Sequence, residues 1–149
     1  MNTKTLVAAL VGAVAAFLLG WVVFGMLLDP FFRAHTNEFN GLMKDMQSFG
    51  TMSYLGIFIA NLAWTFMIAL ICSWSNMVGF MKGAVIGATL GFCMQLSFDL
   101  FNSTFMNLYK DSTIIVVDVI ANTVFFGIIG GIIGWWMGRG TKEATVAAV

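Results

Sequence analysis

The sequence predicts an all-α fold: a four-transmembrane-helix bundle built from two tandem helix hairpins, with an amphipathic outer segment between helices 1 and 2. Three observations predict it. The chain of 149 residues is 60% hydrophobic and only 9% charged, whereas about a quarter of a soluble domain is charged. Apolar stretches long enough to cross a bilayer, about 20 residues, occur four times. A short string also occurs twice: Ile59-Ala60-Asn61 returns as Ile120-Ala121-Asn122, each opening a run that ends in a tryptophan, Trp74 and Trp135.

The first span, near residues 5–28, carries no charge. It is longer than the roughly 7–15 apolar residues of a signal-peptide core, and no small-x-small cleavage site follows it, so it reads as a helix. The amphipathic segment covers about 30–49. Asp29 is placed to cap it, with Pro30 at the first helical position. Phe32, His35, Phe39, Leu42, Met43, Met46 and Phe49 then recur at three- and four-residue steps. That stripe suits a helix lying in the membrane interface, or a lid over the bundle mouth.

The second span, near 52–74, lies within a stretch that has no charge from Met46 to Met81. The third, near 82–106, is apolar apart from polar residues that include Asp99. The fourth, near 113–137, includes Asp118. Runs this long satisfy their backbone groups in lipid as helices, and the period-2 alternation of a barrel is absent. The whole chain, 1–149, reads as one integral membrane domain. The residues from Gly140 to Val149 are small and weakly patterned, and read as a frayed tail.

The two runs opened by the repeated string also share Ile68/Ile129 and Ile71/Ile132. Gly12-Ala13-Val14 with Leu19-Gly20 matches Gly83-Ala84-Val85 with Leu90-Gly91. The order A-B-A-B is that of a duplicated hairpin, and it puts Asn61 and Asn122 at equivalent depths. Glycines recur at four-residue steps: Gly83, Gly87 and Gly91; Gly12 and Gly20 around Ala16; Gly130 and Gly134 before Gly138. Such faces let membrane helices approach closely, within a chain or between copies.

Four spans put both termini on one side. That side carries Lys4, Lys82, Arg139 and Lys142 against Glu143. The other carries Arg33, Lys44 and Lys110 against Asp29, Glu38, Asp45 and Asp111. The excess of Lys and Arg places both termini in the cytoplasm. A net charge of zero points to no nucleic-acid partner.

Polar side chains inside a membrane are costly and need a reason. The third span carries Gln95, Asp99 and Asn102 within one sector. The fourth carries Asp118 and Asn122 one turn apart, and the second carries Asn61 with Thr65. At 1.5 Å per residue, Asn61, Asn122 and Gln95 lie roughly 14–16 Å from the outer helix ends, and Asp99 and Asp118 roughly 8–10 Å. A short turn joins the third and fourth spans, so Asp99 and Asp118 are expected to approach each other with no Lys or Arg at their level. Two carboxylates in a dry site do not both ionise readily.

Three roles fit this layer: interhelical hydrogen bonding, a proton or cation path through the acids, and a docking face for a partner subunit or lipid headgroup. Catalytic, metal and cofactor signatures are not found. The chain has no Cys-x-x-Cys, His-x-x-x-His, Gly-x-Ser-x-Gly or phosphate loop. Cys72 and Cys93 sit apart within spans and read as small apolar residues. The single histidine, His35, lies in the amphipathic segment, away from any haem or quinone position.

Gly20-Trp21-x-x-Phe24-Gly25 in the first span, followed by a short amphipathic stretch and three more spans, resembles small bacterial four-helix integral membrane proteins of unknown function. The likeness runs over essentially the whole chain. It implies a multi-pass protein of the bacterial cytoplasmic (inner) membrane and no mechanism. The chain is unlike the small multidrug transporters of similar size, which carry a glutamate in the first helix. The function expected from sequence is a structural or accessory, non-enzymatic membrane component, in contact with lipid and with its own copies or another membrane protein. The alternative is a proton- or cation-coupled transporter or channel that uses the acid pair.

Overall fold

A computed structural model describes residues 3–39 and 49–139. α1 (Thr3–Gly20) runs on as a π-helical segment (Trp21–Leu27). α2 (Asp29–His35), α3 (Thr51–Trp74), α4 (Phe80–Phe105) and α5 (Thr113–Gly138) follow. Among the described residues there is no strand, and the four long helices are long and apolar enough to span a membrane. At 24 to 26 residues each, counting the π segment with α1, they measure roughly 36–39 Å, enough for about 30 Å of hydrocarbon. Leu18, Trp74, Phe98, Phe101, Phe105 and Val116 stand exposed along these helices. That is the surface of a protein solvated by lipid, not by water.

α5 lies at the centre, packed along α4 on one side and against α1 on another; α3 packs mainly on α1 and more lightly on α5 and α4. Ile68 of α3 and Ile129 and Ile133 of α5 are completely buried. α1 presents Ala8, Ala9, Gly12, Ala13 and Ala16 to this core, so its backbone can come close to α3. The buried Thr65 hydroxyl lies 2.9 Å from both the Ala9 and the Asn61 carbonyl oxygens. It joins α1 to α3 through the Ala9 carbonyl. Thr65→Val keeps the volume and is expected to cost about 0.5–1 kcal/mol, seen as a lower unfolding midpoint in detergent.

The α4/α5 hairpin is tighter, and glycine makes it so. A Cβ on Gly83 would overlap the Gly130 carbonyl oxygen. One on Gly87 would overlap that of Phe126, and one on Gly91 would fall 2.7 Å from that of Asn122. Gly130 and Gly134 face Gly83, Gly87 and Gly79 in return. The short link from α3 to α4 closes on the same seam: Gly79 adopts φ +110° and donates its N–H to the Gly134 carbonyl, 2.8 Å away. On α1, Gly12 packs against Ile133 and Thr65, and Gly20 against Phe125. The glycine faces are therefore occupied within one chain. They do not form an outward surface for a second copy.

The structure corrects three expectations from sequence. The first span is not a plain helix. Its last turns widen into the π segment, closed by the Leu28 N–H on the Val23 carbonyl at 2.9 Å. The amphipathic segment is not helical throughout 30–49. α2 ends at His35, and Thr36 is extended and forms an isolated antiparallel bridge with Tyr109. Asn37 N–H donates to the Leu108 carbonyl and Lys110 N–H to the His35 carbonyl, both at 2.8 Å. Backbone pairing with the α4–α5 turn overrides the local helical stripe, and this stretch lies over the bundle mouth as a lid would. Leu42, Met43 and Met46 lie outside the described residues, as does the tail from Gly140. Asp29 does not cap α2; its carboxylate accepts from Arg33 Nε at 2.7 Å.

At the end of the bundle that carries the termini, Lys4 Nζ donates to the Arg139 carbonyl at the close of α5. The Arg139 guanidinium lies 3.7 Å from the centroid of a Trp135 ring, a cation–π contact in the aromatic zone expected near an interface.

Candidate functional site

The polar residues singled out from sequence divide into one connected cluster and two outliers. Gln95 and Asp99 are a turn apart on α4, and Asp118 and Asn122 a turn apart on α5, so each helix presents its pair toward the other. Gln95 Nε2 donates to Asp118 Oδ2 at 2.7 Å and to Asp99 Oδ1 at 3.2 Å. Asn122 Nδ2 donates to Asp118 Oδ1 at 2.7 Å and to the Asp118 carbonyl at 3.0 Å. One amide thus bridges the two acids, and a second steadies Asp118.

Asp99 is 1% exposed. Its Oδ1 accepts from the Gln95 amide and from the Tyr109 hydroxyl, the latter at 2.8 Å. Its Oδ2 is buried and has no hydrogen-bond partner among the described residues. No Lys or Arg among them lines the space around the cluster. A charge buried without a counter-ion is costly. The two carboxylates share one amide nitrogen, at 3.2 and 2.7 Å, and two negative charges that close would repel by roughly 3 kcal/mol even at an effective dielectric near 20. The unpaired oxygen is therefore the place in this cluster where a proton or a cation would reduce the cost.

Sequence reasoning missed Tyr109. It lies in the turn between α4 and α5, outside any apolar periodicity, and the bridge to Thr36 holds it over the acids. Burial, then the hydrogen bond to Asp99 and the Asp99 charge, keep its hydroxyl well above the ordinary phenol range, while Asn102 acts the other way. Tyr109 is therefore a hydrogen-bond donor to Asp99, and Asn102 belongs to the surroundings of the tyrosine. Asn61 also stays outside the cluster. Its amide donates to the Ile57 carbonyl of its own helix at 2.9 Å.

Two cavities meet at the cluster. One, of about 490 Å³, lies between α1 and α3 and is backed by α5. Its walls include Phe17, Trp21, Phe24, Trp64 and Phe125, and Asn61, Gln95 and Asn122 supply its polar patch. The other, of about 530 Å³, opens toward the α2 end past Asp29, Thr36, Tyr109 and Asp118. Phe24, Gln95 and Asn122 line both. The π segment contributes Trp21, Phe24 and Gly25 to the first cavity. Departures of this kind from regular α-helix often mark functional positions.

In the register that matches Gly20 to Gly91 and Asn61 to Asn122, Phe24 falls at the place of Gln95, Leu28 at that of Asp99 and Ile57 at that of Asp118. The first hairpin carries apolar residues at all three of these sequence positions.

Three or more His, Cys, Asp or Glu side chains do not converge into a metal site among the described residues. Cys72 is buried and Cys93 exposed, both as free thiols. His35 stacks on Phe31, with centroids 4.1 Å apart, on the lid stretch. Comparison with family models, with curated proteins and with solved structures matches this chain to none of them.

Proposed function

We propose that this is a multi-pass, non-enzymatic protein of a bacterial cytoplasmic membrane that takes up a proton or small cation on the Asp99–Asp118 pair and passes it toward the outer face. Both termini are cytoplasmic in this reading, so the lid and Tyr109 face outward, in line with the distribution of Lys and Arg. One observation carries the reading: Asp99 is fully buried, has no cationic partner among the described residues and keeps one carboxyl oxygen without a hydrogen bond. Intramembrane acids in such surroundings mark ion and proton pathways. The 530 Å³ cavity gives Asp118 a route toward the outer end.

A structural or accessory role draws support from the same cluster, since Gln95 and Asn122 bond α4 to α5 or hold Asp118 in place. Partners in either reading are the lipid bilayer and a second copy or another membrane protein, docked through a face other than the glycine seam.

The test is proton flux into liposomes containing the purified protein, followed with an enclosed pH-sensitive dye under an imposed gradient. Flux above that of empty liposomes is expected from the wild type, and its loss is expected in the double variant Asp99→Asn/Asp118→Asn. No flux from the wild type, with sodium and potassium gradients equally inactive, would leave the cluster as interhelical bonding.

A further inference from the structure

Three side-chain amides, Asn61, Gln95 and Asn122, belong to the lining of the 490 Å³ cavity, and each spends N–H on a partner within the protein. Gln95 directs its N–H group at the two carboxylates, Asn122 at Asp118, and Asn61 at the Ile57 carbonyl. A carboxylate or carbonyl only accepts, so these partners fix each amide with its nitrogen turned to them. The remaining carbonyl oxygens of Asn61, Gln95 and Asn122 accept no bond among the described residues. These three amides thus offer the cavity carbonyl acceptors, beside the Tyr54 hydroxyl and the indole N–H groups of Trp21 and Trp64 in the same wall. Donation to a carboxylate polarises the Gln95 and Asn122 amides further and strengthens those oxygens as acceptors.

The rest of the wall is aromatic, with Trp21, Trp64, Phe24 and Phe125 among its members, and no Lys or Arg lines it among the described residues. Aromatic faces attract a cation, more strongly where water is excluded. An ammonium has three N–H donors and no acceptor, which matches three acceptor oxygens. A hydroxyl supplies one donor, and a carboxylate none. The volume falls in the range of small-molecule sites.

We propose that this cavity binds an amphipathic organic cation, an amine with an apolar body, its ammonium on the Asn61, Gln95 and Asn122 oxygens and its apolar part against the tryptophans. The site shares Gln95 and Asn122 with the acid cluster but does not rest on proton transfer. Asn61 belongs to this site alone and touches neither acid.

The probes are phenylbutylamine, phenylbutanol and phenylbutyrate. They are titrated into the protein in phosphatidylcholine nanodiscs, with empty nanodiscs subtracted, and followed by tryptophan fluorescence. Saturable binding of the amine is expected, at least tenfold tighter than that of the alcohol, with none of the carboxylate. Asn61→Leu removes one charge-assisted bond and is expected to weaken the amine about tenfold without moving the unfolding midpoint. Ala60→Trp, which fills the cavity from α3, is expected to abolish binding. Equal binding of amine and alcohol would overturn the proposal, as would wild-type affinity in both variants. Absence of proton flux alongside tight amine binding would count against the acid-pair reading and leave this one standing.

Discussion

Gly87→Leu is expected to prevent the bundle from folding, and Gly87→Ala to cost more than about 3 kcal/mol, the upper end of ordinary overpacking. The reason is where the methyl would go. A Cβ on Gly87 overlaps the Phe126 carbonyl oxygen and falls 3.0 Å from Gly130 Cα. Both neighbours are backbone, so no side chain can rotate aside, and α4 and α5 would have to separate along the seam. Separation would loosen the Gly83–Gly130 and Gly91–Asn122 contacts as well, and with them the alignment of Gln95 to Asp118. Gly56 is the control. A Cβ there meets nothing within 4 Å, and alanine is the better helix former by about 1 kcal/mol. Gly56→Ala is therefore expected to be neutral or slightly stabilising. Monodisperse yield in detergent and the unfolding midpoint, compared across the three variants, give the result.

The second large effect is on activity. Asp99→Asn loses no hydrogen bond: the amide oxygen still accepts from Tyr109 and Gln95, and the new nitrogen replaces an oxygen that accepts from no described group. Asp118→Asn is nearly as mild. One of its two oxygens is replaced by nitrogen, and either Gln95 or Asn122 must turn its amide to match, at a cost of about 1 kcal/mol. The double variant is thus expected to fold with a midpoint close to that of the wild type while its flux disappears, because an amide holds neither the proton nor the charge. A purely structural cluster would show no such split.

The parts of this picture that sequence reveals are those with a local, periodic cause. Four apolar stretches give the spans because a bilayer demands length and hydropathy and little else. Gln95 with Asp99, and Asp118 with Asn122, are one turn apart, so helical geometry alone puts each pair on one face. Four-residue glycine spacing likewise foretells close packing, although not that α4 and α5 would use it up on each other. What sequence does not reveal depends on distant segments. Thr36 pairs with Tyr109 across the whole of α3 and α4. That bridge stops the α2 stripe at His35 and delivers to Asp99 a phenol that no periodicity marks. The π segment has no repeating signature either, only Gly20 and Gly25 around Trp21. Asn61 and Asn122 donate alike to the carbonyl four residues back, that of Ile57 and that of Asp118; they differ because Asp118 adds a carboxylate acceptor where Ile57 has none.

Flux and stability read on one reconstituted sample decide whether the acid pair is the working part of this protein. Wild type and Asp99→Asn/Asp118→Asn are placed in the same liposome preparation, and proton flux and thermal unfolding are recorded for each. Wild-type flux, no variant flux and matching unfolding midpoints are the expected result. A variant that still conducts protons, or one whose flux is lost only because it no longer folds, would contradict it.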